Sequence, residues 1–286
     1  MTRKDPSLNS LLSRPLNDVL FTVLDVETTG LEAYLEHWIC EIALLKFRGA
    51  KDLDSYSSLV NPERPIPGDA VRVHGITDEM VKDAPPFKSI AGDFLAFIEG
   101  TVLIAHNADF DLAFLAKHLR KAELPIPNNP VVDTLILART HFRFPDNSLE
   151  AIAYCLGIDT QGAHRAFKDA VITREIFRYF TAEFRVGTLA ELMNLQGVQV
   201  QLPGIDETTP LIMAEEAIRT GEKLFLKYVS SSGEETERVV TPIQVDVRRG
   251  TPYLIAFCHL RNEERAFRID RILLIKKGDG SLSRNS

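Results

Sequence analysis

The sequence predicts an α/β protein in which a mixed β-sheet flanked by helices is followed by a small antiparallel β-barrel. Two observations support this prediction. Over residues 20–185, apolar runs of strand length alternate with longer segments of helical periodicity. After residue 208, short apolar runs are separated by turn-rich loops such as SSGEE and RNEE. A chain of 286 residues is long enough for two such domains.

The first predicted domain opens with three successive strands, FTVLDV, CEIALLKFRG and SYSSLV, the first of them apolar enough to be central. A fourth short strand is predicted for TVLIAHN. Helices are predicted for ITDEMVKDA, KSIAGDFLAFIEG (ending at Gly100), DFDLAFLAKHLRKA, VVDTLILART, SLEAIAYCLG and HRAFKDAVITREIFRYFTAEF. Three consecutive strands followed by β–α alternation are typical of a mixed sheet.

The predicted domain limits are 18–185 for the first domain, 186–207 for a linker and 208–280 for the second domain. The linker holds a short helical piece, followed by Gln, Gly and Pro residues with little periodicity. The second domain begins with the helix LIMAEEAIRTG. Its predicted strands are LFLKYVS, ERVVTPIQVDV, PYLIAFCHL and RAFRIDRILLI.

Composition narrows the class of protein. The net charge is −7, but residues 1–207 carry −9 and residues 208–286 carry +2, which suggests two domains with different partners. The three cysteines, Cys40, Cys155 and Cys258, form no CxxC pair, so neither a disulfide framework nor a zinc cluster is expected. No apolar run has membrane-spanning length, and the first 20 residues lack the apolar core of a secretion signal. We therefore expect a cytoplasmic protein without a membrane partner.

Two carboxylates stand at the end of the first strand. Asp25 and Glu27 share one face of the strand, because side chains alternate, and lie roughly 7 Å apart. Beside buried residues, they repel each other and lose hydration. The pair therefore predicts a bound cation.

Further polar residues fall where a site would need them. His106 and Asn107 end a predicted strand, and Asp111 lies in the opening turn of the next helix. His164 lies just before or within the first turn of the last helix of the domain, and Asp169 lies further along that helix. Strand ends and helix starts converge in α/β folds, so four carboxylates would share one pocket. Such an oxygen-rich cluster suits Mg²⁺ or Mn²⁺, and two ions would support an in-line phosphoryl displacement.

Three motifs, DxETTG, HNAxFDxxFL and HRAxxDA, resemble those of the DEDDh 3′–5′ exonucleases, the DnaQ-like proofreading family. The resemblance covers residues 18–185 and implies an RNase H-like fold. His164 lies five residues before Asp169, as in the histidine subtype. The sister subtype would place a tyrosine four residues before that aspartate, where this chain has Arg165.

The resemblance also implies roles for these residues. Asp25 would contact both ions, Glu27 and Asp169 would hold the ion that activates water, and Asp111 would help to hold the other. His164 would act as the general base, a role that suits imidazole. The terminal nucleotide would be received by Thr28, Gly30, Leu31, His74, Asn107 and Phe110. The implied activity is release of nucleoside 5′-monophosphates from single-stranded ends, DNA being favoured.

Some positions keep simpler interpretations. Asp109 is acidic and two residues from Asp111, so it competes for the same role; the family motif favours Asp111, which would leave Asp109 facing solvent. His106 would close a hydrogen bond near the pocket. Asp133 would be structural or would support the ligands. Each motif alone is common, and the prediction depends on all three occurring in order.

The second domain resembles a WYL domain, a small Sm- or SH3-like barrel, over residues 208–280. Pro252 stands where the family has tryptophan, which leaves Tyr253 and Leu254 of the eponymous triplet. Residues 238–277 hold nine Lys and Arg against four Asp and Glu, interleaved with aromatic residues. The ligand candidates are Arg238, Tyr253, His259, Arg261, Arg268 and Arg271. Strand alternation would put Arg268 and Asp270 on one face and Arg271 on the other. The alternative is a plain barrel with solvated arginines.

The expected function is a metal-dependent exonuclease whose WYL domain holds the strand or binds a regulatory nucleotide or oligonucleotide. A stand-alone enzyme of DNA repair or oligonucleotide clearance fits this domain order better than a proofreading subunit. Two alternatives stay open. One is an exonuclease for short RNA, and the other is a nucleic-acid-responsive sensor with a non-catalytic nuclease-like scaffold.

Overall fold

The chain divides into two units, Met1–Gly204 and Ile205–Ser286, in the computed structural model. The structure describes residues 10–31, 33, 37–198, 200, 210–229, 235–248 and 251–278. Residues 201–207 of the predicted linker and most of the predicted SSGEE loop lie outside the described residues.

A five-stranded mixed sheet forms the centre of the first unit. Its strands are β1 (Leu20–Thr28), β2 (Ile39–Arg48), β3 (Lys51–Leu59), β4 (Val102–Ala105) and β5 (Val131–Asp133). They lie in the order β3-β2-β1-β4-β5, with antiparallel pairing among the first three and parallel pairing of β1 with β4 and of β4 with β5. The predicted mixed sheet is thus confirmed.

β1 occupies the middle of this sheet and is covered on both faces. Phe21 and Val23 pack into one hydrophobic cluster, whereas Leu24 and Val26 pack into another on the opposite face. A strand buried on both sides must be apolar at nearly every position, which explains its continuous apolar sequence. The acidic residues near its end are therefore exceptions that need a specific environment.

Helices cover both faces of the sheet. They are α1 (Gly68–His74), α2 (Asp78–Val81), α3 (Phe87–Ile98), α4 (Ala108–Lys121), α5 (Thr134–His141), α6 (Leu149–Cys155), α7 (Ala166–Phe184) and α8 (Leu189–Gln196). Residues of α3 and α4 belong to one hydrophobic cluster, and residues of α5, α7 and α8 belong to the other. No helix in the described part of the chain is long and apolar enough to cross a membrane.

Two helix predictions were wrong in detail. The helix predicted to end at Gly100 ends at Ile98, because Glu99 leaves the helical conformation. VVDTLILART begins as strand β5, since Val131 and its neighbour pair in parallel with β4. Asp133 then begins α5, because its carboxylate accepts hydrogen bonds from the N–H groups of Leu135 and Ile136.

Part of the predicted linker packs on the first unit. A capping box between Thr188 and Glu191 begins α8, and Leu189 and Leu192 are buried in a hydrophobic cluster of that unit. Val200 forms a β-bridge with Val131. Residues 188–196 and Val200 therefore contribute to the packing of the first unit.

The second unit consists of a helix and a five-stranded antiparallel sheet. Its elements are α9 (Pro210–Thr220), β6 (Leu224–Val229), β7 (Glu235–Arg248), β8 (Thr251–Cys258), β9 (Glu263–Arg268) and β10 (Ile272–Lys277). The strand order is β10-β6-β7-β8-β9, and α9 packs Met213, Ala214 and Ala217 against one face. The antiparallel pairing agrees with the prediction, but the described strands show no ladder between β9 and β10 that would close a barrel.

Candidate active site

Three carboxylates meet where β1 ends and α7 begins. Asp25, Glu27 and Asp169 each present one oxygen, and these oxygens lie within 4.8 Å of one another. Asp25 and Glu27 lie on the same face of β1 as Phe21 and Val23, because side chains alternate along a strand. Helix α7 covers that face. Asp169, in the first turn of α7, therefore meets them although it lies more than 140 residues away in sequence.

The fourth predicted carboxylate reaches β1 from the other side of the sheet. Asp111, on α4, is 3% exposed and its Oδ1 accepts a hydrogen bond from the N–H of Val26 at 3.0 Å. That N–H is available because the ladder between β1 and β4 ends at Val23. Asp111 is thus held beside the strand segment that carries the two β1 acids. Asp109, its competitor in the sequence, is exposed.

Burial, together with neighbouring negative charges, disfavours the ionised form of all four acids. Desolvation, then the charges of Asp111 and Asp169, hold the pKa of Asp25 well above its usual range. Desolvation, then the charges of Asp169 and Glu41, raise the pKa of Glu27 to about 8. Desolvation raises the pKa of Asp169 to about 6 and holds that of Asp111 well above its usual range. A cation at this place would remove the repulsion, and an all-carboxylate donor set fits a hard divalent ion.

His164 lies at the start of the same helix. Its backbone is left-handed, with φ of 63°, and its N–H points at both Asp169 oxygens at 3.2 and 3.3 Å. Its side chain is half exposed, and Nε2 lies 3.3 Å from Oε1 of Glu150 on α6. The structure thus brings the predicted base next to one predicted ligand.

The sequence reasoning missed the partner of Arg165. Glu41 is buried and lies directly opposite Glu27 in the β1–β2 ladder, an unfavourable pairing of like charges. The guanidinium of Arg165 binds Glu41 with two hydrogen bonds, of 2.6 and 3.0 Å, and the N–H of Ala166 donates a third, also of 3.0 Å. A charge within the apolar run CEIALL was the signal that could have revealed this pair.

The turn after β1 carries the predicted nucleotide-contacting residues. The hydroxyl of Thr28 donates to the carbonyl of Gly30 at 2.6 Å, and Leu31 is 77% exposed. His74 is buried and accepts the N–H of Ile76 at Nδ1, so its Nε2 carries the proton and donates to the carbonyl of Thr28 at 3.3 Å. The structure therefore places His74 under the turn rather than at its surface.

Gly30 permits a close approach within this turn. A Cβ at this position would lie 2.6 Å from three atoms of the His37 imidazole. Any side chain would have to displace that ring, so glycine keeps the turn closed against the strand that follows.

Asp133 and His106 form hydrogen bonds near the start of α4. Asn107 has a left-handed backbone, with φ of 69°, and its N–H and that of Ala108 donate to the Asp133 carboxylate at 3.1 and 3.0 Å. His106 bridges the hydroxyl of Thr134 and the carbonyl of Asn147, at 2.9 Å each. Asp133 thus supports the start of the helix that carries Asp111, whereas His106 ties the end of β4 to α5 and to the loop before α6. Phe110, also predicted to contact substrate, is half-buried against Phe114.

The predicted ligand-binding residues of the WYL domain do not lie together on one face of its sheet. Tyr253 lies directly opposite Arg268, next to the buried residues Leu254 and Phe267 that face α9, so Tyr253 and Arg268 lie on the other face. Arg238 lies opposite buried Leu226, on the α9 side.

The remaining candidates lie near the strand ends. His259 is exposed and has its Nε2 2.8 Å from the Thr241 hydroxyl, and Arg261 is exposed in the next turn. Arg271 belongs to a 3₁₀ turn, Ile269–Arg271, so the alternation predicted beyond Arg268 was wrong. The backbone leaves the extended conformation there, and a period of two no longer applies.

Fold and site together define a class of protein, the phosphodiester-hydrolysing nucleases built on an RNase H-like sheet, here with a carboxylate cluster that could hold a metal ion. The RNase_T family model, described as "Exonuclease", matches residues 22–177, more than half of the chain. The chain therefore belongs to this exonuclease family. A WYL domain model matches residues 211–276.

Relatives agree with this assignment. DNA polymerase III subunit epsilon of Rickettsia felis is 39% identical over 165 residues, covering 54% of this chain and 71% of the relative. DNA polymerase III PolC-type of Thermotoga maritima is 32% identical over 63% of this chain, which spans only 13% of that relative's length. The solved structure of exonuclease X in complex with 5′ overhanging duplex DNA is 27% identical, with a TM-score of 0.51, over 62% of this chain and 99% of that one.

Proposed function

We propose that the chain hydrolyses nucleic acid from single-stranded 3′ ends, with DNA favoured, and releases nucleoside 5′-monophosphates. The convergence of Asp25, Glu27 and Asp169 within 4.8 Å, with Asp111 held beside Val26, is the observation that carries this proposal. Isolated acidic side chains are common on protein surfaces, but like charges gathered at the edge of a core require a ligand of opposite charge.

The cofactors of this proposal are two divalent ions, Mg²⁺ or Mn²⁺. Asp25 would contact both, Glu27 and Asp169 would complete one site, and Asp111 would contribute to the other. When bound, such ions stabilise negative charge on the attacking and leaving oxygens of an in-line displacement.

The chain's own residues supply the proton transfer and the positioning. The imidazole of His164, whose Nε2 lies 3.3 Å from Oε1 of Glu150, accepts the proton of the attacking water. The bond from the water oxygen to phosphorus forms as the bond from phosphorus to the 3′ oxygen breaks, and that oxygen stays on the shortened strand. The turn at residues 28–31 receives the terminal nucleotide, with exposed Leu31 available to pack against a base.

The test uses matched single-stranded DNA and RNA oligonucleotides labelled at the 5′ end, incubated with Mg²⁺ or Mn²⁺. We expect a ladder that shortens from the 3′ end, faster on DNA, and a loss of at least about 10³-fold in rate for Asp25→Asn. Asp111→Asn should behave similarly, whereas Asp109→Asn, which changes an exposed acid two residues away, should keep most activity.

The result separates the remaining hypotheses. Faster digestion of RNA would indicate an exonuclease for short RNA. Equal inactivity of the wild-type protein and Asp25→Asn on every substrate and metal would contradict the proposal and favour a sensor.

The proposed role of the second unit is to hold the strand or to bind a regulatory nucleotide. The cross-strand pair of Tyr253 and Arg268 supports this role, since an aromatic ring next to a guanidinium suits a base and its phosphate. Within the cell, we propose a stand-alone repair or oligonucleotide-clearing enzyme.

A further inference from the structure

Three cations surround one indole ring beside the turn that follows β1. The guanidinium carbon of Arg64 lies 4.6 Å from the ring centroid of Trp38, and the ammonium nitrogens of Lys117 and Lys121 lie at 4.4 and 4.0 Å. Arg64 follows β3, and the two lysines come from the last turns of α4. We call Trp38, Arg64, Lys117 and Lys121 the Trp38 cluster.

The cluster is joined to the turn by two hydrogen bonds. The N–H of Trp38 donates to the Thr29 hydroxyl at 2.9 Å, and the N–H of Thr29 donates to the Trp38 carbonyl at 2.8 Å. Thr29 lies within residues 28–31, the proposed seat of the terminal nucleotide. The residue whose ring the cations surround is therefore attached to the turn that we propose receives the strand end.

Helix α4 gives the distance between this cluster and the carboxylates. Lys117 and Lys121 follow Asp111 by six and ten residues, which at 1.5 Å per residue is about 9 and 15 Å along the axis. Successive phosphates of a stacked strand are about 3.4 Å apart along its axis. A strand that runs along α4 from the carboxylates would therefore present its third or fourth phosphate to these lysines.

The cluster carries positive charge, whereas the net charge of the surrounding unit is negative. Residues 1–207 carry a net charge of −9, which by itself repels a polyanion. Elsewhere in the unit, Arg174 and Arg178 both pair with Asp52. In the cluster, Lys117 donates a hydrogen bond to the carbonyl of His37 at 3.0 Å, and Lys121 pairs with Glu63 at 3.6 Å. Lys121 and Glu63 are both more than half exposed, so their pair is weak.

We propose that the Trp38 cluster binds the backbone phosphates of the substrate strand about three to four nucleotides upstream of the reacting bond. The inference rests on the proposed function. Trp38 is only 8% exposed, which leaves too little surface for a base to stack on, so the cations are the contacting groups. The indole holds them by cation–π attraction and keeps them aimed along one path.

The test compares two triple variants with the same change in net charge. Arg64→Gln, Lys117→Gln and Lys121→Gln together remove the cluster's cations. Arg48→Gln, Lys51→Gln and Lys88→Gln together form the control, from exposed positions of the same unit. Affinity for a fluorescent eight-nucleotide oligothymidylate is measured by anisotropy with Ca²⁺ in place of Mg²⁺, at several salt concentrations.

The cluster variant should show a slope of log affinity against log salt that is about 2 units shallower, from about 0.7 for each lost phosphate contact. The control variant should keep most of the wild-type slope. Lys121→Gln alone, at a side chain that is 56% exposed, should reduce the slope by about 0.7. This single variant still tests the inference if the triple variant does not fold. An unchanged slope in the cluster variants overturns the inference.

A small substrate separates this inference from the proposed function. The 4-nitrophenyl ester of thymidine 5′-monophosphate has no upstream phosphates, so the wild type and the cluster variant should hydrolyse it at equal rates. A slower rate in the cluster variant would overturn the assignment, because the cluster would then act on the catalytic centre itself. The anisotropy measurement needs no hydrolysis, so it still tests the cluster if the wild-type protein proves inactive, a result that would remove the proposed function instead.

Discussion

The two units distribute their charged side chains in opposite ways. In the first unit, Asp169 converges with Asp25 and Glu27, and Asp111 is held on the neighbouring N–H of Val26; Asp111 and Asp169 are at most 8% exposed. In the second unit, the predicted ligand residues lie on both faces of the sheet and at strand ends. The convergence of acids therefore indicates what the first site binds, whereas the dispersed residues of the second unit do not indicate a ligand. Repelling charges at the edge of a core demand a ligand, whereas charges in water do not.

The largest expected effect tests whether the two units are stable independently. Phe267 is 3% exposed in the core of the second unit, and Phe114 is fully buried in that of the first. Phe267→Ala should cost about 3–5 kcal/mol of local stability, through lost burial and the cavity left behind. Hydrogen exchange measured by mass spectrometry should show faster exchange in peptides of residues 210–277. Phe114→Ala should show the reverse pattern, and loss of protection throughout the chain in both variants would contradict independence.

A smaller effect on stability tests whether the converging acids of the first unit bind a metal ion. Divalent metal at about 100 times its dissociation constant should stabilise the wild-type protein by about 2.7 kcal/mol, because the ion binds the folded state alone. Without metal, Asp25→Asn should be more stable than wild type, since it removes one of the repelling charges. Thermal unfolding with EDTA and with Mg²⁺ measures both. The idea fails if metal stabilises Asp25→Asn as much as wild type.

A buried histidine should make the stability of the first unit depend on pH. His118 is 5% exposed and accepts the N–H of Ile39 at Nε2, at 3.1 Å. Burial, then the charges of Lys117 and Lys121, lower its pKa to about 3. The unfolded chain takes up a proton near pH 6.5 and the folded chain does not, so the contribution of His118 to stability is complete above pH 6.5 and is lost as the pH drops toward 3.

This loss amounts to about 1.4 kcal/mol per pH unit within that window. His118→Gln retains an acceptor but does not titrate, so its stability should fall less steeply between pH 6.5 and 4.5. Urea unfolding at matched pH values measures the difference between the two proteins. Parallel pH profiles would exclude His118 as the cause.

The smallest effect is expected in the second unit. Arg268→Gln should weaken oligonucleotide binding only a few-fold, as loss of one phosphate contact does at moderate salt. Arg238→Gln, on the face that α9 covers, should change affinity less. Anisotropy with the same oligothymidylate provides the measurement. Equal effects of the two substitutions would show that the Tyr253 and Arg268 pair has no special role.

Most of the first unit could be predicted from sequence because its signals are local. The apolar runs of β1, β2 and β4 and the periodicity of α4 and α7 gave the mixed sheet and its main helices. The short strand β5 was missed because Val131–Asp133 is too brief to show a period and is a strand only through its pairing with β4. The helix α8 was assigned to a linker because its packing surface is provided by residues far away in the chain.

The proposed catalytic residues were predicted as a list, but their arrangement in space was not. Motif spacing identified Asp25, Glu27, Asp111, His164 and Asp169. Nothing in it identified the pair of Glu41 and Arg165, since 124 residues separate the two side chains. The Trp38 cluster is likewise invisible in sequence, because its four members come from three separate segments.

The sequence by itself determined the sheet class, the acidic strand end and the residue types available for metal binding, since alternation and helical period are properties of the local chain. Tertiary structure alone decided which charges meet. The fold brought the carboxylate of Asp111 to the N–H of Val26, the carboxylate of Glu41 to the guanidinium of Arg165, and three cations to the ring of Trp38. The physical reason is that desolvation and Coulomb attraction depend on distances in space, which strand pairing and helix packing establish only in the folded protein.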